Sequence, residues 1–156
     1  MLLTRNVREN ISLASLTSPN LRRRGLLARK AEKRESLAMA KRMSLMPLDI
    51  ERAARSFSGG NMQKALLGRF LARRPRMLIL DEPTVGIDVN AKAEIYAVLK
   101  QLVDEGMAVL LISSDLPEVL SLSNRVYVVR DGVVVDELMN ERKNEEEALS
   151  GFFVKE

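Results

Sequence analysis

The stretch SFSGGNMQKALLGRFLARRPRMLILDEPTVGID, residues 56–88, restricts the fold more than any other part of this chain. A Ser-Gly-Gly opens a helix-forming run of about 60–73. Pro75 stops that run, and the apolar stretch MLILD at 77–81 then ends against Glu82 and Pro83. Helix followed directly by a short apolar strand is the signature of α/β layering, and such a strand reads as buried on both faces. A strand that ends in carboxylates delivers them to the carboxyl edge of its sheet, where α/β proteins bind ligands. On its own, Asp-Glu after a strand can simply cap a turn. On its own, Ser-Gly-Gly can be a loose helix entry with Ser as N-cap. Glycines also let backbone N–H groups approach an anion at a helix start, where the dipole favours negative charge. The spacing of the two features decides for the second reading.

The flanking segments fit this picture. NVRENISLASL predicts a short helix, broken by Thr17-Ser18-Pro19-Asn20. Leu21 to Leu45 predicts one long helix carrying Leu27, Ala31, Leu37, Ala38 and Met43, with a possible break inside it, ended by Met46-Pro47. In the next helix, Met62, Leu66 and Phe70 recur at i, i+4 and i+8 as a core-facing stripe. A helix at about 90–104 presents Ala91, Ile95, Val98, Leu99 and Leu102, and Gly106 stands where a C-terminal cap belongs. MAVLLI at 107–112 reads as a second buried strand. Asp115, Pro117 and Glu118 mark the start of a short helix with a capping box. Asp131-Gly132 between RVYVV and VVVDE signals a two-residue hairpin. The expected organisation is a helical subdomain at 1–55, the back part of an α/β core at 56–140, and a helical tail at 141–156.

Composition excludes several classes of chemistry. The 156 residues contain no cysteine and no histidine, so disulfides, thiolate metal sites and imidazole acid–base catalysis are all impossible. No apolar run approaches the ~20 residues needed to span a bilayer, and the first residues lack a signal-peptide core. The expectation is a cytosolic chain. Net charge is +4, and Arg22 to Arg42 alone holds nine basic and two acidic residues. Such a patch suits nucleic acid, anionic lipid or an acidic partner, or is a solvated helix face. No aromatic residue lies between Leu21 and Phe57, so base stacking is not expected there.

SGGNMQK, LILDEPTVGID and VLLISSDLPEV together resemble the signature motif, the Walker B with D-loop, and the switch region of an ABC transporter ATPase. More narrowly, the run from Ala91 to Val135 is similar to the second nucleotide-binding domain of tandem bacterial sugar importers of the ribose, galactose and xylose kind. NVRENISLASL looks like their segment just after the Q-loop. The resemblance implies a partial P-loop NTPase sheet with an N-terminal helical subdomain that meets the membrane partner. It implies that Ser58, Gly59 and Gly60 contact the γ-phosphate of ATP held by a partner domain across a head-to-tail interface. Asp81 would support Mg²⁺, Glu82 would be the general base, and Asp88 would be the D-loop aspartate bridging the two composite sites. Permease subunits and a second ABC ATPase domain would be direct partners. A periplasmic sugar-binding protein would be an indirect one, with no nucleic acid involved. The chain would sit at the cytoplasmic face of the inner membrane.

Three departures from the family pattern bear on activity. Met62 replaces a polar residue of the signature, a change that reads as packing. Ser114 stands at the switch position where histidine is common, so this half-site is expected to be weak or regulatory. A P-loop requires Gly-x-x-x-x-Gly-Lys-Ser/Thr, and none of the eight glycines is followed by lysine. The expected P-loop would lie upstream of Met1, and the chain alone is expected neither to bind Mg·ATP tightly nor to hydrolyse it. The competing expectations are an inactive interaction module for a permease or an intact ATPase, and a basic nucleic-acid-binding module.

Overall fold

The computed structural model describes residues 1–23 and 25–139, so the tail helix expected at 141–156 lies outside the described residues. By its contacts the chain forms two compact units, Met1–Leu78 with Pro83–Ala108, and Ile79–Glu82 with Val109–Glu156.

The first unit is built on four helices: α1 (Val7–Ser12), α2 (Arg29–Arg42), α3 (Gly59–Leu71) and α4 (Val89–Asp104). Asn6 caps α1 by accepting the Glu9 N–H at 2.8 Å, and Val7 and Ile11, one turn apart, enter the core. Ala40, Leu45, Ile50, Phe57 and Ala65 complete that cluster, and Met62 packs against it from its edge. Met62 therefore serves packing, as its departure from the signature pattern suggests.

The long helix expected from Leu21 is not formed as one piece. Its first third is a small antiparallel hairpin, β1 (Arg22–Arg23) and β2 (Leu26–Leu27), with Gly25 at φ +82° in the turn, and α2 begins only at Arg29. The fully buried positions of α2 are Glu32, Ser36 and Ala40. Of the apolar set read for this segment, Met43 is buried just past the helix end and Leu37 packs half-buried against the core, whereas Leu27 and Ala38 are exposed. Glu32 is buried because it has partners there: Arg8 Nη1 at 2.5 Å and Ser12 Oγ at 2.8 Å. Burial opposes charge on Arg8, but the hydrogen bond to Glu51 and the charges of Glu32 and Glu51 more than offset it. They hold the guanidinium pKa above its ordinary value.

The expected stripe on α3 is also displaced. Phe70 is exposed and Met62 and Leu66 are half-buried, whereas Gly60, Lys64, Ala65, Leu67, Gly68 and Leu71 face inward. A face of small residues lets neighbouring helices approach. A Cβ on Gly68 would stand 3.0 Å from Met39 Cγ of α2. The helix α4 follows its periodicity, burying Ile95, Val98, Leu99 and Leu102. It ends in paired reverse bonds, Gly106 N–H to Val103 O at 2.9 Å and Met107 N–H to Leu102 O at 3.0 Å, with Gly106 at φ +90°. This is a Schellman ending, which favours glycine because its left-handed conformation crowds any Cβ.

β3 (Met77–Asp81) and β4 (Ala108–Ile112) are neighbours in a two-stranded sheet. Their bonds ascend the sequence together, Ala108 N–H to Arg76 O and Glu82 N–H to Ile112 O, as in a parallel pair with α4 as crossover. Burial on both faces is not observed. Leu78 and Leu80 are buried, but Met77 and Ile79 are exposed, as are Leu110 and Ile112 of β4. The alternation arises because, among the described residues, nothing covers the second face.

In the second unit, β4 leads to α5 (Leu116–Leu122) and then to the antiparallel hairpin of β5 (Arg125–Arg130) and β6 (Val133–Met139). Asp131 at φ +52° and Gly132 at φ +78° form its two-residue turn, as their dipeptide predicts. The register shifts by one residue between Val128 and Val129, leaving Val135 as the extra residue of a bulge.

Candidate functional site

Within the first unit, Ser58 is the N-cap of α3. Its Oγ accepts from the Asn61 N–H at 3.4 Å and from Asn61 Nδ2 at 3.0 Å. As the first two helical residues, Gly59 and Gly60 have backbone N–H groups without partners inside the helix. The two glycines differ in why a side chain is missing. A Cβ on Gly59 would meet only Gly86 O, at 3.9 Å, so this position is open to approach from outside. A Cβ on Gly60 would stand 2.4 Å from Ala91 Cβ, so Gly60 is the contact that brings α3 against α4. Asp88 caps α4 through its carboxylate, which accepts the Ala91 N–H at 2.9 Å. The Ser58–Gly60 turn and the capped start of α4 are thus neighbours.

Lys64, one turn past Gly60, is buried along its whole side chain. Its Nζ donates to Ser44 O and to Glu94 Oε2 of α4, both at 2.7 Å. Sequence reasoning missed this residue. The lysine of SGGNMQK sits four residues beyond a buried glycine, on the same helix face, but a lysine there reads as solvated. Asn61 was missed too. Its Oδ1 accepts the Met46 N–H at 2.9 Å while its amide reaches Ser58, tying the Ser-Gly-Gly turn to the segment before it.

Within the second unit, Asp81 is exposed at the end of β3 and Glu82 follows it in the left-handed region, at φ +46°. A non-glycine residue held there carries strain of about 1–3 kcal/mol, kept only where the surroundings demand it. Two bonds do so here. The Glu82 N–H continues the strand pairing to Ile112 O at 2.9 Å, and its Oε1 accepts the Ser114 N–H at 2.9 Å. The structure therefore brings Glu82 and Ser114 together through the Ser114 backbone. The loop beyond β4 is braced from below: Ser113 Oγ donates to the buried Glu118 at 2.6 Å and accepts the Asp115 N–H at 3.0 Å. The expected capping box is thus relayed through Ser113, with Asp115 itself accepting the Glu118 N–H at 3.2 Å.

The donor set bears on whether Mg²⁺ and a nucleotide suit this chain. Mg²⁺ takes six oxygens in near-octahedral geometry and commonly keeps waters and phosphate oxygens among them. Among the described residues no group of three His, Cys, Asp or Glu side chains could hold a metal. Asp81 offers one exposed carboxylate, and Glu82 has one carboxylate oxygen bonded to Ser114. That set fits an ion brought in with its phosphates, not one bound by protein alone. No described helix is long and apolar enough to cross a membrane.

Comparison with known proteins agrees with these features. A ribose import ATP-binding protein of Oceanobacillus iheyensis is 39% identical over 96% of this chain and 30% of its own length. A xylose import ATP-binding protein of Photobacterium profundum is 43% identical over 92% of the chain and 28% of its own. An Agrobacterium fabrum protein, a putative ribose/galactose/methyl galactoside import ATP-binding protein, reaches 51% over 81% and 25%. The chain therefore spans between a quarter and a third of the length of these relatives. Among solved structures, the ATP-binding cassette MJ1267 superposes with a TM-score of 0.77 at 24% identity, over 96% of this chain and 59% of that one. The dimeric cassette MJ0796 with ADP and Pi superposes with 0.75 at 22% identity, over 92% and 60%. The fold is that of an ABC ATPase of P-loop NTPase type, in part. The ABC transporter family model matches residues 2–85, more than half of the sequence, and this chain belongs to that family.

Proposed function

We propose that this chain is the signature-bearing part of the ATP-binding subunit of a sugar importer, of the ribose, xylose or galactose kind, acting at the cytoplasmic face of the membrane. The names of its relatives support the transport class. The observation that carries the chemistry is the pairing of Glu82 with the Ser114 N–H at the end of β3.

In this reading Ser58, Gly59 and Gly60 present a hydroxyl and two free amides to the γ-phosphate of ATP held by another domain. The open space beside Gly59 supports close approach there. Asp81 would hold Mg²⁺, which when bound offsets charge on the phosphates. Glu82 takes the proton of the attacking water as general base, with one carboxylate oxygen fixed by Ser114 N–H and the other free to face the water. Ser114 lacks an imidazole, so it orients Glu82 but adds little to charge stabilisation. Asp88 stiffens the start of α4 beside the phosphate-facing turn. Permease subunits and a second ATPase domain complete the assembly.

The chain alone is expected to show only background ATP hydrolysis. Co-assembled with an intact ribose import ATP-binding protein and its permease, it should contribute hydrolysis that Glu82→Gln lowers at least a hundredfold, as expected for loss of a general base. Robust Glu82-dependent turnover by the isolated chain would overturn this reading. The exposed Ile79, Leu110 and Ile112 favour a second, compatible reading in which the chain works only when another polypeptide is bound.

A further inference from the structure

Glu118 is a carboxylate in an unexpected place. It is the third residue of α5, where the side chain of a capping box ordinarily works from the surface, yet it is only 1% exposed. Burying a carboxylate is costly unless good hydrogen bonds hold it. In a plain capping box this side chain would accept the Asp115 N–H directly. Here Ser113 Oγ accepts that N–H at 3.0 Å and donates its own proton to Glu118 Oε2 at 2.6 Å. The second bond fixes which way the Ser113 hydroxyl points, inward to the carboxylate, and so leaves its oxygen as the acceptor for Asp115. Starting α5 does not require this, because Asp115 already accepts the Glu118 N–H at 3.2 Å.

The position that Glu118 grips is the one between the two anchors of Glu82. Ile112 O accepts the Glu82 N–H at 2.9 Å, and the Ser114 N–H donates to Glu82 Oε1 at 2.9 Å. Residue 113 lies between them. The Ser114 N–H belongs to the peptide that joins Ser113 to Ser114, so its direction follows how Ser113 is held. Ser114 is exposed and Ser113 half-buried, so packing alone gives this peptide little support. The Ser113 side chain supplies it, bonded inward to Glu118 and forward to Asp115. All of these groups lie within the second unit.

We propose that Glu118 is a positioning residue for Glu82: through Ser113 it aims the Ser114 N–H at one Glu82 carboxylate oxygen and so leaves the other turned toward the attacking water. This rests on the reading of Glu82 as general base. A base works only within hydrogen-bond reach of its proton, and a misplacement of about 1 Å can lower a rate about a hundredfold. Glu118 itself touches neither water nor phosphate in this scheme.

Two measurements test it. The first is amide hydrogen exchange of the chain by nuclear magnetic resonance. Glu118→Ala and Ser113→Ala should each speed exchange at Ser114 about tenfold, as Glu82→Ala should, while the amides of β5 keep their parental rates. Glu118→Gln, whose amide oxygen still accepts from Ser113, should restore most of the protection. Parental exchange at Ser114 in both alanine variants would overturn the proposal. Equal acceleration across β5 would also overturn it, since Glu118 would then support only the fold of the second unit. The second is ATP turnover in the assembly with an intact ribose import ATP-binding protein and its permease. Glu118→Ala should lower kcat about tenfold and leave KM within about twofold, because the base acts in the transition state and not in nucleotide binding. In a Glu82→Gln background it should change the residual rate less than about twofold, since residues that act as one unit are not additive. A raised KM with unchanged kcat, or a further tenfold loss in that background, would overturn the proposal. An assembly with no Glu82-dependent turnover would overturn the general-base reading instead, and exchange at Ser114 would then decide by itself whether Glu118 positions Glu82.

Discussion

Replacing Gly60 by Ala puts a methyl carbon 2.4 Å from Ala91 Cβ, where carbon atoms settle at about 3.5–4.0 Å. The helices α3 and α4 must then part by about 1 Å, and Lys64 lies one turn further along the same seam. Overpacking of this size costs about 1–3 kcal/mol. The better helix propensity of alanine returns at most about 1 kcal/mol, and less at so early a position. The net loss is about 1–2 kcal/mol, which for a chain of this length lowers the melting temperature by about 3–8 °C. Gly59→Ala is the internal control. Its nearest neighbour is Gly86 O at 3.9 Å and its φ is not left-handed, so the change should be neutral or stabilising by up to about 1 kcal/mol. Ala91→Gly reopens the space, and the Gly60→Ala/Ala91→Gly pair should recover stability beyond the sum of its parts. Thermal and urea unfolding followed by circular dichroism would measure all four. Equal stability of the two alanine variants, or no recovery in the double variant, would refute the assignment of Gly60 to helix packing.

Two buried polar centres give further expectations. Glu94→Ala leaves the buried Lys64 ammonium with Ser44 O as its remaining hydrogen-bond acceptor, and should cost about 1–2 kcal/mol because Glu94 itself is largely exposed. Lys64→Met removes the charge instead of stranding it and should cost no more; urea midpoints that rank the two the other way would refute the argument. Asn10 is fully buried, donating to Leu2 O and Asn6 O and accepting from Leu2 N–H and Arg69. Asn10→Ala strands these groups, including a guanidinium whose pKa burial already lowers. It should destabilise by about 2–4 kcal/mol in urea unfolding, and a loss under about 1 kcal/mol would show that water replaces the amide.

Much of the fold is legible in local chemistry. Asp88 and Asp115 cap helices, Gly106 ends one, and Asp131-Gly132 turns a hairpin. Each is decided by groups a few residues apart, whose preferences do not wait for the rest of the chain. The spacing of Ser-Gly-Gly to Asp-Glu-Pro carries the family for the same reason, because helix and strand lengths are set by the residues within them. Tertiary structure alone decided where charge goes inside. Glu32 is buried by Arg8 and Ser12, 24 and 20 residues away, and Lys64 by Ser44 and Glu94, 20 and 30 residues away. A charged residue on a helix reads as solvated until a distant partner offsets its desolvation. The same holds for Gly60, whose missing side chain matters because Ala91 comes to lie against it. The exposed half of β3 is the complementary case. An apolar run states that a strand can be buried on both faces, but what covers each face is a property of the assembled fold.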